Sequence, residues 1–401
     1  MKVAIIGGGA AGFFAAISAK EHHKEAEVII YEKSNKLLAK VKVSGGGRCN
    51  VTNACFSISE LSKFYPRGGK QLKKAFGHFY TKDTVSWFET RNVSLKAEAD
   101  NRMFPTSNDS QTIIDCLENE AQKLGVSIFL QSPISKITKQ ENGFLLQIKE
   151  QEFTFFDKVI IATGGKSKLS NFDWLKNLGH KIEPPVPSLF TFNMPKNEIT
   201  SLMGVVANNT SVRVQGTKLQ QSGSLLITHW GMSGPAILKL SAWGARVLSE
   251  MNYQFKTQIN WINFSEQEAK TLLSAQVQEH SKRKVSNKNP FQLSARLWEF
   301  LLAKIDLKPN IVWGEIGKKN TNRLLNILLN DVYEVSGKTT FKEEFVTCGG
   351  LSLQEVNMST MESRICPNLY FAGEVLDIDG VTGGFNFQAA WTTGFIAGKC
   401  L

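Results

Sequence analysis

Val3-Ala-Ile-Ile-Gly-Gly-Gly-Ala-Ala-Gly12 opens the chain, and Val28-Ile-Ile-Tyr-Glu32-Lys33 follows it after one helix length. The first stretch has the pattern of a short apolar strand that runs into a glycine-rich turn and a helix. The second is an apolar strand that ends in an acid. Strand, glycine turn, helix, strand and acid in this order are typical of a dinucleotide site. The sequence therefore predicts that the N-terminus binds a dinucleotide.

Each glycine of the turn has a predicted role. Gly7 permits the tight strand-to-helix turn, Gly9 lets the backbone approach a pyrophosphate, and Gly12 lets the helix lie against the sheet. The helix that begins with Ala10 and Ala11 offers unpaired N–H groups and a partial positive charge to phosphates. This segment is therefore expected to hold the diphosphate.

Glu32 ends the second strand and is followed by Lys33. A carboxylate at this position accepts hydrogen bonds from ribose hydroxyls, and it repels a 2′-phosphate. The bound nucleotide is therefore expected to carry no 2′-phosphate.

Composition favours an enzyme with a large core. The chain has 401 residues, of which 42% are hydrophobic, and this length is enough for two or more domains. No apolar run is long enough to span a bilayer, and the glycine-rich start does not resemble a cleaved leader. We therefore expect a cytoplasmic protein with no membrane partner. Its oligomeric state is left open.

The cysteines are scattered along the chain. No Cys-x-x-Cys pair occurs, and the six histidines add no metal-ligand spacing. Reduced thiols and no metal are expected.

The net charge of +11 permits a nucleic-acid partner. Lys70, Lys73 and Lys74 cluster near Arg67, but this group and the other basic groups do not form one continuous stripe along the sequence. We therefore expect a solvated basic surface, and an anionic macromolecule is the alternative.

Changes in pattern divide the chain into segments. Strands and helices alternate as far as the linker-like Glu183-Pro-Pro-Val-Pro187, and this part includes a buried strand that ends at Thr163, Gly164 and Gly165. Short strands dominate from 188 to about 264, and three helical patterns follow as far as about 344. From 345 to 401 the α/β pattern returns. The sequence thus predicts an α/β fold with a discontinuous domain, 1–187 and 345–401, and an inserted β-barrel plus three-helix domain, 188–344.

The last segment contains two more glycine turns, in addition to those after Ile6 and Thr163. Leu369-Tyr-Phe-Ala-Gly373-Glu374 is predicted to be a strand that ends in a glycine and an acid. Asp379-Gly-Val-Thr-Gly-Gly-Phe-Asn-Phe-Gln388 then leads into a helix. Gly383 and Gly384 would present N–H groups to an anion or a carbonyl at the start of that helix.

Four stretches carry a family resemblance. They are Ser44-Gly-Gly-Gly-Arg-Cys-Asn-Val-Thr-Asn53, Thr228-His-Trp-Gly-Met-Ser-Gly-Pro235, Thr360-Met-Glu-Ser363 and Phe371-Ala-Gly-Glu-Val-Leu-Asp-Ile-Asp-Gly-Val-Thr-Gly-Gly384. The chain resembles the BaiN/YhiN-type flavoproteins, which are single-FAD proteins of the glutathione-reductase-like superfamily. The resemblance implies a Rossmann-like FAD-binding domain, interrupted by a barrel and three helices, and an NAD(P)/FAD-dependent oxidoreductase.

Two segments depart from the family pattern. Leu38-Ala39-Lys40 retains only the lysine of the Gly-Arg-Lys that the family carries before the Ser44 turn. Lys166-Ser-Lys-Leu-Ser-Asn-Phe-Asp173 replaces a longer segment that contains glycines. Apart from the retained Lys40, the resemblance implies no specific cofactor contacts in these two places.

The fingerprint and the resemblance together give a set of expected FAD contacts. In the ADP half they centre on the first turn and Glu32, whereas Glu374 would bind the ribityl chain and the Gly384 turn would stabilise negative charge on the reduced flavin. The expected contacts are Gly7, Gly9, Ala10, Ala11, Gly12, Glu32, Lys33, Lys40, Ser44, Gly45, Gly46, Gly47, Arg48, Cys49, Asn50, Thr163, Gly164, Gly373, Glu374, Asp379, Gly383, Gly384, Phe385 and Asn386.

The catalytic residues are left unknown, and three side chains have two interpretations each. Arg48 either supplies positive charge near the flavin or is a surface cation. His229 is either a proton donor or a histidine bonded to backbone at a strand end. Cys49 is either a packed thiol or one half of a redox pair with Cys55, six positions later rather than the five of related disulfide reductases.

Three functions are compatible with these patterns. The first is an FAD-dependent oxidoreductase that reduces a small organic C=C or C=O bond. In this case NAD(P)H acts as a transient donor, because the sequence has no second glycine fingerprint to hold it. The second is a flavin-dependent RNA-modifying or RNA-binding protein, and the third is a flavin-bearing module without turnover. Salt-sensitive RNA binding would favour the second, and substrate-dependent flavin reoxidation the first.

Overall fold

The computed structural model describes residues 1–149, 152–340 and 346–401. Contacts divide the chain into two units, Met1–Ser188 with Phe341–Leu401, and Leu189–Thr340. The first unit is therefore built from two separate segments of sequence. The predicted domain boundary at 344 and 345 lies outside the described residues.

The elements of each segment are given in chain order. In the first segment they are β1 (Lys2–Ile6), α1 (Ala10–His22), β2 (Glu27–Tyr31), α2 (Ala39–Gly47), β3 (Thr52–Asn53), α3 (Ile58–Ser62), α4 (Gly69–Ala75), α5 (Thr81–Glu89), β4 (Leu95–Ala97), β5 (Arg102–Pro105), α6 (Ser110–Lys123), β6 (Ser127–Phe129), β7 (Ile134–Gln140), β8 (Gly143–Ile148), β9 (Glu152–Phe156), β10 (Lys158–Ile161), α7 (Asp173–Asn177) and β11 (Ile182–Pro187). In the second unit they are β12 (Thr191–Asn193), β13 (Val206–Val214), β14 (Gln220–Thr228), β15 (Gly231–Ser233), α8 (Pro235–Glu250), β16 (Gln254–Asn260), α9 (Glu266–Glu279), α10 (Ala295–Lys304), α11 (Gly317–Leu329), β17 (Asp331–Ser336) and β18 (Lys338–Thr339). In the last segment they are β19 (Thr347–Leu351), β20 (Val356–Asn357), β21 (Glu362–Ser363), β22 (Leu369–Phe371) and α12 (Phe385–Lys399).

The central sheet of the first unit has the strand order β20-β21-β22-β10-β1-β2-β6. From β22 to β6 all neighbouring strands are parallel, whereas β20 and β21 add an antiparallel edge. The inner strands β1, β10 and β22 are almost entirely buried apolar residues. Strands that are covered on both faces require such continuous apolar runs.

Helices α1 and α12 lie against each other in the core of this unit. The ring of Phe14 on α1 packs against Trp391 on α12 with ring centroids 4.9 Å apart. Trp87 on α5 contacts the same phenyl ring at 4.6 Å. Burial of large aromatic side chains contributes strongly to core stability, so this cluster fixes α1 behind the β1 turn.

The proline-rich segment that was predicted to be a linker is a strand. β11 (Ile182–Pro187) pairs antiparallel with β19 (Thr347–Leu351), with an irregularity between Glu183 and Val186. Proline removes a backbone donor and is tolerated where a strand has an unpaired edge. In a two-stranded ribbon each strand has such an edge, so the prolines permit the extended pairing.

The second unit contains an antiparallel sheet in the order β17-β16-β13-β14-β15-β12-β18. Its two outer strands are consecutive in the chain, because Gly337 alone separates β17 from β18. The sheet must therefore curl until its edges approach each other. Helices α9, α10 and α11 contribute to its apolar core, which contains the fully buried Trp298 and Trp313.

The prediction that short strands dominate from 188 to 264 missed α8. This helix spans Pro235–Glu250 and begins after Gly234, with proline in its first turn. Its buried Ile237, Leu240 and Leu248 recur at helical spacing. Proline at the first helical position is a helix-start signal, and here it outweighs the surrounding strand pattern.

Among the described residues, no helix combines the length and the apolar character required to cross a lipid bilayer.

Candidate functional site

The parallel strands of the first unit bring four chain turns to one edge of the sheet. Ile6 at the end of β1 is aligned with Tyr31 of β2 and with Ile161 of β10. Ile161 is in turn aligned with Phe371 of β22. Ligands of parallel α/β sheets bind outside the carboxyl ends of the strands. The predicted site residues that follow these four strand ends therefore lie along one edge.

The turn from β1 to α1 has one open side. Gly7 has φ +119°, a conformation that favours glycine. A Cβ on Gly12 would lie 1.9 Å from the carbonyl oxygen of Gly7, so α1 packs tightly on the turn. Gly9 has an extended backbone, with φ −96°, and a Cβ there would have no neighbour within 4 Å. The open side at Gly9 precedes Ala10 and Ala11, where α1 begins.

Glu32 faces this turn. Its carboxylate accepts hydrogen bonds from the backbone N–H of Gly8 at 2.9 Å and of Ser34 at 2.8 Å. It also lines a cavity of about 320 Å³, which is within the size range of small-molecule sites. The other lining residues are Ile6, Gly7, Tyr31, Lys33, Ser132, Pro133, Ile134, Ser135, Lys136, Ile137, Thr163, Lys166, Asn171 and Trp174. The acid therefore borders a cavity with apolar and basic walls.

One wall of the cavity comes from the segment that departs from the family pattern. Lys166 and Asn171 of this segment and Trp174, which directly follows it, line the cavity. The indole N–H of Trp174 donates to the carbonyl oxygen of Asn171 at 3.2 Å. Burial lowers the pKa of Lys166, and the positive charge of Lys33 lowers it further. Sequence reasoning did not include these three residues in the site. A family pattern gives no signal where the chain departs from it.

Two threonine hydroxyls lie buried at the sheet edge. The Oγ1 atoms of Thr163 and Thr347 are buried, and neither has a hydrogen-bond partner among the described residues. Buried polar atoms in native proteins are normally satisfied, so each hydroxyl is available to a bound group. Thr163 was a predicted contact, whereas Thr347 on β19 was missed, because the sequence analysis identified no turn or motif in that strand. Gly164 follows Thr163 with φ +69°.

Glu374 is held by two groups. Its carboxylate accepts from the ammonium group of Lys40 at 2.6 Å and from the backbone N–H of Thr347 at 2.8 Å. The N–H of the preceding Gly373 donates to Oγ1 of Thr393 on α12. The structure thus brings the predicted residues Lys40 and Glu374 together as an ion pair, which neutralises both charges next to the sheet edge.

The Ser44 turn is a left-handed loop. The φ angles of Gly45, Gly46 and Gly47 are +60°, +69° and +84°. A Cβ on Gly46 or Gly47 would meet nothing within 4 Å, so both face open space. Three successive residues in this conformation require glycine, because other L-residues rarely adopt it.

Arg48 is engaged within the first unit. Its guanidinium group contacts the carboxylate of Glu98 at 2.6 Å and lies 4.0 Å from the ring centroid of Phe104. The ion pair with Glu98 neutralises the positive charge that Arg48 would otherwise present to a flavin. This geometry favours a role for Arg48 in holding the Ser44 loop.

Cys49 is fully buried with φ +60°, and it is a free thiol, as is Cys55. Burial raises the pKa of the Cys49 thiol to about 12. Because the thiolate is the reactive form, such a thiol is nearly inert at neutral pH. The structure fits the packed-thiol interpretation.

We therefore expect iodoacetamide at pH 8 to modify Cys55 in the native protein well before Cys49, as followed by peptide mass spectrometry. Cys49→Ser should leave flavin reduction intact. A dithionite titration tests the alternative: uptake of electrons beyond the two of the flavin, lost in Cys49→Ser, would show that a redox pair exists.

The Gly384 turn is tied to the segment around β3. Gly384 has φ +90°, and a Cβ there would lie 2.4 Å from the carbonyl oxygen of Thr52. With the amide of Asn50 oriented to satisfy its neighbours, its oxygen accepts from the N–H of Gly384 at 2.9 Å. Asn53 donates to the carbonyl oxygen of Gly383 at 3.1 Å. Any side chain at Gly384 would thus disturb the local fold.

Helix α12 begins at Phe385 directly after this turn. The amide side chain of Asn386 accepts from the N–H of Gly380 at 2.8 Å and donates to its carbonyl oxygen at 2.9 Å. The side chain of Asn386, a predicted cofactor contact, is therefore used to fix the loop. The N–H groups of the first helical turn have no acceptor within the helix and remain suited to an anion.

Asp379, another predicted cofactor contact, has a fully buried side chain. Arg67 donates to both carboxylate oxygens, through Nε at 2.6 Å and through a shorter contact from its terminal nitrogen, and the hydroxyl of Ser188 also donates to the carboxylate. Burial raises the pKa of Asp379 from 3.8 to about 6, although Arg67 acts to lower it. The carboxylate of Asp379 is thus engaged by protein groups on both oxygens.

His229 belongs to the second unit. It follows the end of β14 at Thr228 and is exposed. Its ring packs edge-on against Trp230 with centroids 3.9 Å apart. Its role as a proton donor stays a hypothesis.

The residues at the sheet edge fit FAD. The open side of Gly9 has room for a diphosphate, and Glu32 borders a cavity of small-molecule size. Thr163 has a buried hydroxyl that is without a hydrogen-bond partner among the described residues. Within the described ranges, no group of three His, Cys, Asp or Glu side chains is placed to hold a metal ion.

Comparisons with known proteins agree with this geometry. Residues 1–400 match the family described as HI0933-like protein Rossmann domain. The chain is 27% identical to the 3-dehydro-bile acid Δ(4,6)-reductase of Clostridium scindens, over 99% of this chain and 98% of that protein. It is 28% identical to the ribosomal RNA dihydrouridine synthase of Escherichia coli, over 99% of this chain and 97% of that protein.

The solved 3-ketosteroid-Δ4-(5α)-dehydrogenase of Rhodococcus jostii has a similar fold. It superposes with a TM-score of 0.51 at 12% identity, over 99% of this chain and 96% of that chain. The fold is thus a mixed α/β fold with a Rossmann-type FAD-binding domain similar to that of solved flavoenzymes. The chain belongs to the HI0933-like Rossmann family, which confirms its resemblance to the BaiN/YhiN-type flavoproteins.

Proposed function

We propose that this protein is an FAD-dependent oxidoreductase that reduces an electron-poor C=C or C=O bond of a small organic substrate, with NAD(P)H as the transient electron donor. The observation that carries the proposal is the open side of Gly9 beside the cavity at Glu32, at the edge where four strand ends meet. An adenosine diphosphate moiety is the ligand that this arrangement suits best.

Each part of the edge has a separate task in binding. The N–H groups that begin α1 would hold the diphosphate, and Glu32 would accept hydrogen bonds from the ribose. The Lys40–Glu374 pair and the hydroxyl of Thr163 lie where the remaining polar groups of FAD would pass. The start of α12 would place N–H dipoles near the flavin ring.

When bound, FAD supplies reversible two-electron transfer as hydride. Reduction of one substrate double bond consumes one hydride and one proton and converts one NAD(P)H to NAD(P)⁺. The names of both relatives describe related reductions. One relative acts on a bile acid with an oxo group at C3 and double bonds, and the other forms dihydrouridine, which is uridine with its C5=C6 bond reduced. A C=C bond conjugated to a carbonyl group is common to both, so it is the bond we propose for this protein.

A uracil base in RNA is the second candidate substrate. The net charge of +11 and the name of the Escherichia coli relative favour it. Both candidates share the reaction, and they differ in what surrounds the reduced bond.

Anaerobic stopped-flow absorbance tests the reaction. The purified yellow protein is mixed with NADH, NADPH or dithionite, and the reduced protein is then mixed with an α,β-unsaturated ketone or with uridine-containing RNA. We expect a reduced nicotinamide to bleach the flavin and one of the two acceptors to restore it without oxygen. Reduction by dithionite alone, with no reoxidation by either acceptor, would refute the proposal.

The cavity wall supplies a prediction about cofactor affinity. Trp174→Ala should weaken FAD binding by about 5- to 150-fold, because stacking of a base on an aromatic side chain contributes about 1–3 kcal/mol. FAD affinity is measured by flavin fluorescence titration of the apoprotein. Trp243→Ala is the control, because Trp243 is exposed on α8 in the second unit. Equal affinities for both variants would exclude Trp174 from the adenosine site.

A further inference from the structure

One short segment of the chain has a local excess of positive charge, and part of it is helical. Between Glu60 and Asp83 the sequence contains no acid, and it contains the cations Lys63, Arg67, Lys70, Lys73, Lys74 and Lys82. These 22 residues therefore carry six of the eleven net positive charges of the 401-residue protein. A local excess of this size predicts an anionic partner more strongly than the total charge does.

Folding places three of these cations on one face. Lys70, Lys73 and Lys74 of α4 are exposed, whereas Leu72 and Ala75 of the same helix are buried. No ion pair joins any of the three to an acid among the described residues. We call these three lysines the α4 strip. The sequence analysis treated these lysines as one of several small basic groups. It did not show that they share a helix face, which they do because residues three and four positions apart lie on the same side of a helix.

The α4 strip is attached to the predicted flavin end of the site. The ring of Phe64 stacks on Phe385, the first residue of α12, with centroids 4.4 Å apart. The hydroxyl of Tyr65 donates to the carbonyl oxygen of Phe385 at 2.7 Å, and the carbonyl oxygen of Phe64 accepts from Val381. Helix α4 itself also contacts α12. The strip is therefore carried by an element that packs beside the helix that begins after the Gly384 turn.

The form of the strip favours a chain of phosphates over a single small anion. One carboxylate or phosphate is neutralised by one or two cations. The strip has three ammonium groups, none of which pairs with an acid in the part of the chain that the structure describes. Side chains one helical turn apart are about 5–6 Å from each other, measured between Cβ atoms. Phe64, which lies six residues before Lys70 in the chain, is also 37% exposed. Partly exposed aromatic rings combined with a basic track are typical of single-strand binding. We propose that the α4 strip binds the backbone of single-stranded RNA and directs a base toward the Gly384 turn.

This inference goes beyond the proposed reaction, because the binding step requires neither reduction nor NAD(P)H. It also gives the second candidate substrate a physical place on the protein. Since phosphate contacts release counterions, the binding it predicts weakens steeply with salt.

The test is fluorescence anisotropy of a labelled single-stranded RNA of about 16 nucleotides, titrated with the flavin-loaded protein over a range of salt concentrations. The variant is Lys70→Gln/Lys73→Gln/Lys74→Gln. Its matched control is Lys308→Gln/Lys318→Gln/Lys319→Gln, which removes equal charge from exposed positions of the second unit. Flavin content and the rate of flavin reduction are measured on the same samples.

We expect the strip variant to bind RNA at least about tenfold more weakly at low salt and to lower the salt slope by about 2, since each lost phosphate contact contributes about 0.7. The control should bind like the wild type, and all three proteins should keep FAD and its reduction rate. Three results would overturn the inference. RNA affinity could fall equally in the strip variant and the control, or the wild type could fail to bind RNA. Millimolar inorganic phosphate could also displace the RNA at constant ionic strength. Loss of flavin reduction with normal RNA binding would instead count against the proposed reaction alone.

Discussion

Gly9→Val should yield a folded protein that has lost its FAD. The backbone of Gly9 is extended and a Cβ there meets no neighbour within 4 Å, so valine fits the fold without strain. The new side chain would occupy the space through which a diphosphate reaches the start of α1. Loss of two charge-assisted hydrogen bonds, at about 1.5–3 kcal/mol each, predicts affinity at least about a hundredfold weaker. The measurement is the flavin-to-protein ratio after purification and the FAD titration of the apoprotein.

Gly9→Ala is the graded comparison, because its single methyl group enters less of the same space. Its FAD affinity should lie between those of the wild type and Gly9→Val. Circular dichroism and thermal unfolding of the three apoproteins should agree. If Gly9→Val keeps FAD at the wild-type ratio, the diphosphate does not pass this turn.

Arg67→Met should cost about 3–5 kcal/mol of unfolding free energy at neutral pH. Removing one partner of a buried ion pair leaves an uncompensated charge, and the carboxylate of Asp379 is fully buried. The remaining hydroxyl donor, Ser188, cannot replace a guanidinium group. Urea unfolding, followed by tryptophan fluorescence, measures the loss.

The pH dependence of this loss has a definite sign. The pKa of Asp379 is raised to about 6 in the folded protein from its usual 3.8, so the folded state binds the proton more tightly than the unfolded state does. The contribution of protonated Asp379 to stability is therefore present below about pH 4 and lost as the pH rises through 6. Without Arg67 the carboxyl is costly only when ionised, so the deficit of Arg67→Met should shrink from pH 7.5 to pH 5.

Arg67→Met/Asp379→Asn is the control, because it removes both charges. It should recover most of the lost stability at neutral pH. A single variant as stable as the wild type at pH 7.5, or a deficit that grows toward acid pH, would contradict a buried charge at Asp379.

The N-terminal half of the site could be predicted because its signals are local. Gly7, Gly9 and Gly12 each meet a steric requirement of the backbone within a single turn. Glu32 directly follows the apolar strand β2, which pairs with β1 in the parallel sheet. Constraints of this kind are visible in one sequence without knowledge of distant contacts.

The rest of the site depends on contacts between residues far apart in sequence. Thr347 reaches Glu374 through β19, and Arg67 reaches Asp379 across more than 300 residues. No periodicity or motif marks such pairs. For the same reason, the sequence around Asp379 and Asn386 does not show that their side chains bind other protein groups, although both were predicted to contact the cofactor.

Errors in the fold arose where one local pattern had two meanings. Glu183-Pro-Pro-Val-Pro187 has the composition of a linker, yet a two-stranded ribbon tolerates its prolines. Pro235–Glu250 lies among strands, and only its helical spacing of buried residues separates it from them. The α4 strip was hidden in the same way, because a list of charges does not show which of them share a helix face.

The identity of the bound cofactor tests the central claim most directly. The protein is purified under native conditions and heated, and the released compound is separated by chromatography against FAD and FMN standards. The account predicts a yellow protein that releases FAD in a ratio of about one per chain, because the β1 turn and Glu32 suit an adenosine diphosphate moiety. Release of FMN, or a colourless protein that fails to bind added FAD, would contradict it.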